Sequence, residues 1–296
     1  MLSLNLFILA TLFCWSVWGI FDKKALQTGT AVEVLLRLYL LTLIEVPVAY
    51  LILQTTEPGW QIAPSVWLFT ALASILQIGA ISAYLAAMTM TEASYVLGLT
   101  AAYPLVLQFL AVPFLGEKLL LSRVAGAAAI GLGVAAIGAA PGKAALPHPG
   151  RQKLLLSLYV ASATVGWGIW GVFDKKALQY GHPMTVFLAE RLWELSFLVL
   201  GTLAGWWRGW RPDIRNGRTW LFSGLSGTSL AIGRWTYLNA LSQASASYVI
   251  AITGCYPLLM YFLALIFLKE PFNGLRLTGV CLVVAGGIIV QLTQKT

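Results

Sequence analysis

Long apolar runs separated by short polar segments set the pattern along this chain. Several runs reach the roughly 20 residues that a helix needs to cross the hydrocarbon of a bilayer, and they are continuous instead of alternating. Every backbone polar group inside a membrane has to be satisfied, which favours helices over strands. The pattern predicts ten membrane-spanning helices, at 3–21, 31–53, 66–88, 93–115, 119–140, 154–173, 184–204, 219–241, 245–268 and 274–292.

The first apolar run resembles a secretory signal in its position but not in its sequence. Residues 1–5 carry no Lys or Arg, and no small-residue cleavage pattern precedes Asp22. A signal peptide normally has both features. We therefore expect this run to be a helix of the mature protein.

The chain contains an internal repeat. Residues 18–27 read WGIFDKKALQ and residues 170–179 read WGVFDKKALQ, so nine of ten positions are identical at an offset of 152. Further matches follow at an offset of 153, such as ASYV at 93–96 and 246–249. Ordered matches at a nearly constant offset indicate a duplicated unit.

The duplication predicts the domain organisation. A first five-helix repeat is expected at 1–140, a Pro/Gly-rich linker at 141–153 and a second five-helix repeat at 154–296. Five crossings per repeat insert the second copy upside down. Inverted repeats are typical of transporters that bind substrate near the membrane midplane. The predicted fold class is thus an all-α membrane protein of ten transmembrane helices in two inverted repeats, although duplication that serves stability alone stays open.

Composition agrees with a membrane protein. Hydrophobic residues make up 59% of the chain and charged residues 10%, against roughly 25% charged in soluble domains. The net charge of +8 does not indicate nucleic-acid binding, because the basic residues stand singly or in short groups. The three cysteines show no CxxC spacing and both histidines lie beside prolines. We expect no metal site, no cofactor and no enzymatic activity.

Ionisable residues inside the predicted helices are candidates for function. Arg234 lies well inside the eighth helix, where a cation costs at least about 2.5–3.5 kcal/mol. It either binds an anionic group of a substrate or forms a buried salt bridge to Glu45 or Glu194. These two glutamates lie near the middle of their helices and are candidate carriers of a coupling proton. The alternative is an ion pair, and Arg191 shares a helix face with Glu194, as Arg37 does with Glu33.

Tryptophans and tyrosines at equivalent positions of the two repeats form a second set of candidates. They are predicted to line the two halves of a cavity, or to stack on a planar or cationic substrate. The alternative for the tryptophans is anchoring at the membrane interface. The predicted substrate-binding residues of this set are Trp15, Trp18, Tyr84, Trp167, Trp170 and Tyr237.

Two prolines and two glutamates also recur in both repeats. Pro104 and Pro257 fall midway in the fourth and ninth helices, where proline kinks a helix. They predict gating hinges, with simple packing kinks as the alternative. Glu117 and Glu270 precede the fifth and tenth helices. They are interpreted as caps at the positive ends of those helix dipoles.

The repeated Asp-Lys-Lys triplets at 22–24 and 174–176 close the first and sixth helices. After inversion they lie at opposite membrane faces, where we expect them to help close two gates. The Gly/Ala-rich run 126–138 favours close helix packing. Its face either joins the two halves or supports a homodimer.

These motifs resemble EamA-domain proteins of the drug/metabolite transporter superfamily, over about residues 4–291. The resemblance rests on the two five-helix repeats, the Trp-Gly and Lys-Lys pairs that end the first helix, the Ala-Ser-Tyr-Val helix start and the Tyr-Pro pair. It implies alternating-access export or exchange. Family substrates include amino acids, nucleotide sugars, phosphorylated sugars and drugs.

The predicted function is export or exchange of a small metabolite, with amino acids or related zwitterions as the first choice. A lipid flippase and a non-transporting scaffold are the alternatives. The expected partners are the lipid bilayer, a small-molecule substrate and a coupling proton or ion. The expected location is the plasma (inner) membrane. Loop charges place both termini outside, whereas the resemblance implies cytoplasmic termini.

Overall fold

A computed structural model describes residues 2–117, 121–140, 149–213 and 215–292, and this part of the chain folds into thirteen α-helices. A π-helical turn, Ala264–Leu268, continues the twelfth helix. The helices are α1 (Leu2–Leu26), α2 (Ala31–Leu40), α3 (Thr42–Thr56), α4 (Pro64–Met90), α5 (Ala93–Thr100), α6 (Tyr103–Leu115), α7 (Leu121–Ala139), α8 (Pro149–Ala177), α9 (Pro183–Trp207), α10 (Gly217–Gln243), α11 (Ala246–Thr253), α12 (Tyr256–Leu263) and α13 (Gly274–Leu292).

Many of these helices suit a bilayer. Five helical segments are long and apolar enough to cross it, and three further helices are apolar but shorter. Large apolar side chains such as Phe109 and Leu132 point outward, 80% and 66% exposed, as expected where lipid is the solvent. The five long segments are Leu2–Leu26, Ala31–Thr56, Pro64–Met90, Ala93–Leu115 and Gly150–Ala177, and the shorter ones are Val124–Ile137, Tyr256–Leu268 and Gly274–Ile289.

Several helices extend further than the apolar pattern predicts, α1 and α8 by the most. α1 continues to Leu26 and α8 begins at Pro149, inside the segment predicted as a linker, and ends at Ala177. Both Asp-Lys-Lys triplets therefore belong to the last turns of helices. The rest of the predicted linker, residues 141–148, lies outside the described residues.

Three predicted helices are split. The second breaks at Leu41, the fourth between Thr100 and Tyr103, and the ninth between Thr253 and Tyr256. The prolines predicted to kink the fourth and ninth helices midway, Pro104 and Pro257, are instead the second residues of α6 and α12. Proline is tolerated there because a first-turn N–H has no partner within its helix. Each proline thus starts the second piece of a broken helix.

The two halves pack by exchanging equivalent elements. α1 packs on α10 and on α12, while its counterpart α8 packs on α4 and on α6. α4 and α10 are counterparts at the 153-residue offset, as are α6 and α12. The main helix contacts of α1 with the second half are therefore repeated by α8 with the first. This exchange is the signature of a pseudo-twofold arrangement.

Glycines bring α7 and α13 into backbone contact. A Cβ added at Gly133 would lie 2.3 Å from the carbonyl oxygen of Gly279, and a Cβ at Gly279 would lie 2.3 Å from that of Gly133. A Cβ at Gly286 would lie 2.4 Å from the carbonyl oxygen of Gly126. The Gly/Ala-rich face of α7 thus joins the two halves. A homodimer stays a prediction.

Candidate functional site

Eight buried aromatic side chains, four from each half, meet at the centre of the described helices. Each is at most 6% exposed. The tryptophans among them therefore lie in the interior, and the alternative of anchoring at the membrane interface is wrong for them. We call these residues the aromatic cluster: Trp15, Trp18, Tyr84, Tyr103, Trp167, Trp170, Tyr237 and Tyr256.

The ring contacts of the aromatic cluster occur in symmetric pairs. Each contact between two rings is matched by one between their repeat counterparts at a similar centroid distance. Separations of this size are those of favourable aromatic pairs. The matched contacts are Trp18–Trp167 and Trp15–Trp170 (5.9 and 6.4 Å), Trp18–Tyr84 and Trp170–Tyr237 (4.9 and 5.2 Å), Tyr84–Trp167 and Tyr237–Trp15 (5.6 and 5.3 Å), and Tyr103–Trp167 and Tyr256–Trp15 (6.4 and 6.0 Å).

Six side chains of the aromatic cluster line a small cavity of about 30 Å³, which is room for about one water molecule. Tyr84 and Tyr237, which were predicted to line a cavity, lie behind this lining and contact Trp18 and Trp170. Three residues that break the repeat symmetry also line it. Gln77 and Leu230 are counterparts at the 153-residue offset, so one wall is polar where the other is apolar. Arg234 has Ile81 as its counterpart. The symmetric aromatic shell therefore encloses an asymmetric polar lining.

Five polar atoms of side chains that line the cavity are buried without a hydrogen-bond partner in the described part of the chain. Two are the hydroxyls of Tyr103 and Tyr256, and the other three are the indole nitrogens Nε1 of Trp15 and Trp18 and the amide oxygen Oε1 of Gln77. Buried polar atoms in native proteins are usually paired. A ligand that offers an acceptor to the indoles and a donor to the amide would satisfy the three atoms of the tryptophans and Gln77.

Arg234 is held by two carboxylates. Its Nη1 and Nη2 donate to the two carboxylate oxygens of Asp174 at 2.5 and 2.7 Å, and its Nε donates to Glu190 at 3.0 Å. Nη2 also donates to Glu190. Sequence reasoning expected Glu45 or Glu194 as the salt-bridge partner, and the structure shows Asp174 and Glu190 instead. Asp174 comes from α8 and Glu190 from α9, and both helices contact α10, whereas Glu194, one turn further along α9, binds Arg191.

The guanidinium of Arg234 also belongs to the cavity wall. Its central carbon lies 4.2 Å from the ring centroid of Trp170 and 5.4 Å from that of Tyr237. Such cation–π contacts are favourable, most of all where water is excluded. The aromatic cluster therefore already binds one cation, supplied by the chain itself.

A second buried arginine lies one residue after Glu190. Arg191 donates to Glu45 at 3.2 Å and to Glu194 at 2.9 Å. The predicted i,i+3 pair of Arg191 and Glu194 is thus present, and Glu45 joins it from α3. Arg191 and Arg234 consequently each bind two carboxylates.

The predicted pairing of Glu33 with Arg37 takes another form. The backbone N–H of Asp213 donates to Glu33 at 3.0 Å, and Nη2 of Arg37 donates to the backbone carbonyl of Asp213. Glu33 also closes a capping box with Thr30 at the start of α2. The two charges therefore fasten the segment before α10 to α2.

Asp22 and Asp174 were not among the predicted site residues. They occupy the same position of the repeated triplet, and both are fully buried. Asp174 binds Arg234, whereas Asp22 accepts a hydrogen bond from Ser226 at 2.5 Å. The signal that could have identified these aspartates was the identical triplet in both repeats, together with helices long enough to include it.

At one end of the molecule a lysine and a glutamate hold the junction between α4 and α5. Lys23 Nζ donates to the carbonyl oxygens of Met88 and Thr91, each at 2.6 Å. Glu270, from the second half, accepts from the backbone N–H of Ala93 at 2.8 Å and from the side chain of Ser94. We call this set of contacts the first lock.

The second lock repeats these contacts with the halves exchanged. Lys175 Nζ donates to the carbonyl oxygens of Leu241 and Ala244 at 2.6 and 2.7 Å. Glu117 accepts from the backbone N–H of Ala246 at 2.7 Å and from the side chain of Ser247. The glutamates do cap helices of the opposite half, since Glu270 binds the start of α5 and Glu117 binds the start of α11.

Comparison with known proteins matches this architecture. A model of the EamA-like transporter family matches residues 2–139 and 154–292, one match for each half. A solved structure entitled "Crystal structure of protein" superposes with a TM-score of 0.74 at 18% identity, covering 98% of each chain. That likeness concerns the fold alone. No protein with a curated description matches the sequence.

Proposed function

Because this chain belongs to the EamA-like transporter family, we propose that it exports or exchanges a small zwitterionic metabolite, with amino acids as the leading substrate class. The cavity enclosed by the aromatic cluster is the observation that carries the proposal. It combines π faces, unsatisfied polar atoms and one guanidinium at the contact between two equivalent halves. We place the protein in the plasma (inner) membrane.

The chemistry of the cavity supports a zwitterion. The indole N–H groups of Trp15 and Trp18 suit a carboxylate, and the amide oxygen of Gln77 suits an ammonium donor. An ammonium is also attracted to the faces of the surrounding rings. A ligand that carries both charges beside an apolar side chain uses every one of these groups.

Ten crossings in two inverted halves account for the positions of the locks. The repeat-equivalent lysines Lys23 and Lys175 bind the C-terminal ends of α4 and α10 respectively. These two junctions belong to different locks although they occupy the same place in each repeat. An inverted arrangement puts one lock at each membrane face. Such an arrangement is common among secondary transporters.

Alternating access follows from the state of the two locks. Both are formed, and the cavity between them holds about 30 Å³, which is smaller than an amino acid requires. This is an occluded conformation. Breaking the first lock opens the cavity to one face, and breaking the second opens it to the other. The broken helices that begin again at Pro104 and Pro257 are the hinges.

An excess of buried carboxylates supports coupling to protons. Arg191 and Arg234 together face four carboxylates, and each of the six side chains is at most 14% exposed. Uncompensated charge is costly at membrane depth, so protons are the natural counter-ions. Glu45 and Glu194, which share Arg191, are the proposed coupling carboxylates.

The test is ligand-dependent stability of the purified protein in detergent. Melting temperatures are recorded with amino acids, nucleobases, sugar phosphates and organic cations. A ligand at ten times its Kd adds about 1.4 kcal/mol to the unfolding free energy. We expect a hit among zwitterions that disappears in Gln77→Leu, which installs the residue found at the equivalent position of the other half, and in Trp170→Ala. Trp207→Ala, at a side chain 89% exposed, is the control.

Three other outcomes contradict parts of the proposal. A hit that survives both cavity substitutions refutes the site. Hits confined to sugar phosphates or organic cations refute the substrate class. Silence across the panel, together with lipid scrambling in vesicles, would replace metabolite transport by lipid flipping. Silence without scrambling would favour a scaffold.

A further inference from the structure

A second and larger depression lies between α2 and α9, separate from the aromatic cluster. Its volume is about 410 Å³, within the roughly 300–1,000 Å³ of ligand-binding sites. Most lining side chains are apolar, although Tyr39, Glu194 and Thr202 also line the depression, and Val32 in its lining is 54% exposed. The other lining side chains used below are Leu35, Phe197, Leu198 and Trp210. We call this depression the α2–α9 groove.

The groove exists because the side chains of α9 along this stretch are small. Gly201, Thr202 and Gly205 all line it. A Cβ added at Gly201 would meet nothing within 4 Å, and its backbone is helical. Neither packing within the described residues nor backbone conformation requires glycine at this position. A larger side chain at Gly201 would fill this open space.

A basic segment borders one end of the groove. Residues 208–218 include four arginines and one aspartate, and all four arginine side chains are exposed. Trp210 of this segment lines the groove. Arg211 donates to the carbonyl oxygens of Trp206 and Trp210, both at 3.0 Å. A guanidinium is thus fixed at the mouth of an apolar depression.

The aromatic residues next to these arginines indicate where this end of the groove lies relative to the lipid headgroups. Trp206 and Trp207 are 55% and 89% exposed, and the guanidinium of Arg211 lies 5.2 Å from the ring centroid of Trp206. Exposed tryptophans at the end of a membrane helix are typical of the headgroup level. The groove therefore runs from the headgroup region into the hydrocarbon.

We propose that the α2–α9 groove binds one anionic phospholipid, with an acyl chain along Leu35, Phe197 and Leu198 and the phosphate on the arginines of residues 208–218. Charge complementarity selects this occupant, because clusters of basic residues beside a membrane helix attract anionic headgroups. Each arginine near such a headgroup raises affinity by about fivefold. The proposal is independent of the transported substrate.

The experiment is native mass spectrometry of the full chain with equal amounts of phosphatidylglycerol and phosphatidylcholine that carry the same acyl chains. We expect one phosphatidylglycerol to be retained with at least about tenfold preference. Gly201→Phe fills the groove and abolishes retention of both lipids. Substitution of Arg208, Arg211 and Arg215 by Gln removes the preference but leaves weak binding of both lipids.

Matched controls separate the groove from general surface effects. Gly224→Phe adds the same side chain at another position where a Cβ meets nothing within 4 Å. Arg151→Gln with Lys153→Gln removes exposed charge from α8 instead. Both controls should retain the lipid as wild type does. Retention unaffected by Gly201→Phe, equal retention of the two lipids by wild type, or full displacement by inorganic phosphate would each overturn the proposal.

Discussion

Replacing Arg234 by Met tests whether the buried ion network is a structural necessity of the folded state. The guanidinium makes bonds to both Asp174 and Glu190, and all three side chains are at most 2% exposed. Removing one partner of a buried charge pair costs about 3–5 kcal/mol, since the remaining charge stays buried and uncompensated. Arg234→Met leaves two such carboxylates, so we expect a loss at the upper end of this range.

The assay is chemical unfolding in detergent, measured at several pH values. The loss should be largest at pH 8 and should shrink as the pH falls, because proton binding removes the charge that the arginine no longer compensates. Ile81→Met, at the equivalent position of the first half, is the control and should cost less than about 1.5 kcal/mol. An Arg234→Met protein as stable as wild type at pH 8, or one whose deficit grows in acid, would refute the argument.

Three further predictions concern the locks, the helix contact and coupling. Glu117→Gln weakens charged hydrogen bonds worth about 1.5–3 kcal/mol each, so a cysteine placed at Ala244 in a cysteine-free background should react faster with maleimide. Glu270→Gln should leave that rate unchanged, and equal acceleration by both would contradict two separate locks. Gly279→Ala should lower the unfolding free energy by about 1–3 kcal/mol, since its Cβ meets backbone at 2.3 Å; unchanged unfolding would contradict that contact. Glu194→Gln should abolish proton-driven accumulation in liposomes but retain exchange, and persistent accumulation would remove Glu194 from the coupling role.

The sequence predicted the repeat and most helix positions because apolar run length and self-similarity are local signals. It also selected the tryptophans of α1 and α8 as candidates, because they recur at equivalent positions of the two repeats. The direct contact between the two pairs was not predicted, because it depends on how the halves pack. The division of the second, fourth and ninth helices was less accessible. A run of apolar residues has the same appearance whether the helix is continuous or restarts at a proline such as Pro104.

Partners across the fold were the least predictable feature. Arg234 was recognised from its depth, but Asp174 and Glu190 were not assigned to it, since they lie 60 and 44 residues away. Likewise, Glu117 was interpreted as a cap for the next helix in sequence, whereas the structure shows it bound to the start of α11. No local sequence feature indicates that contact. Such pairings depend on which helices pack together, and one sequence carries no direct signal of that.

The exchange of helix caps between the halves has a consequence for synthesis. The backbone N–H groups at the start of α5 leave the ribosome long before Glu270, which accepts a hydrogen bond from Ala93. Until the last part of the chain is inserted, that helix start has no carboxylate to satisfy it. A chain that ends before Glu270 therefore lacks the carboxylate that binds the start of α5, so both halves have to be made before either lock can form.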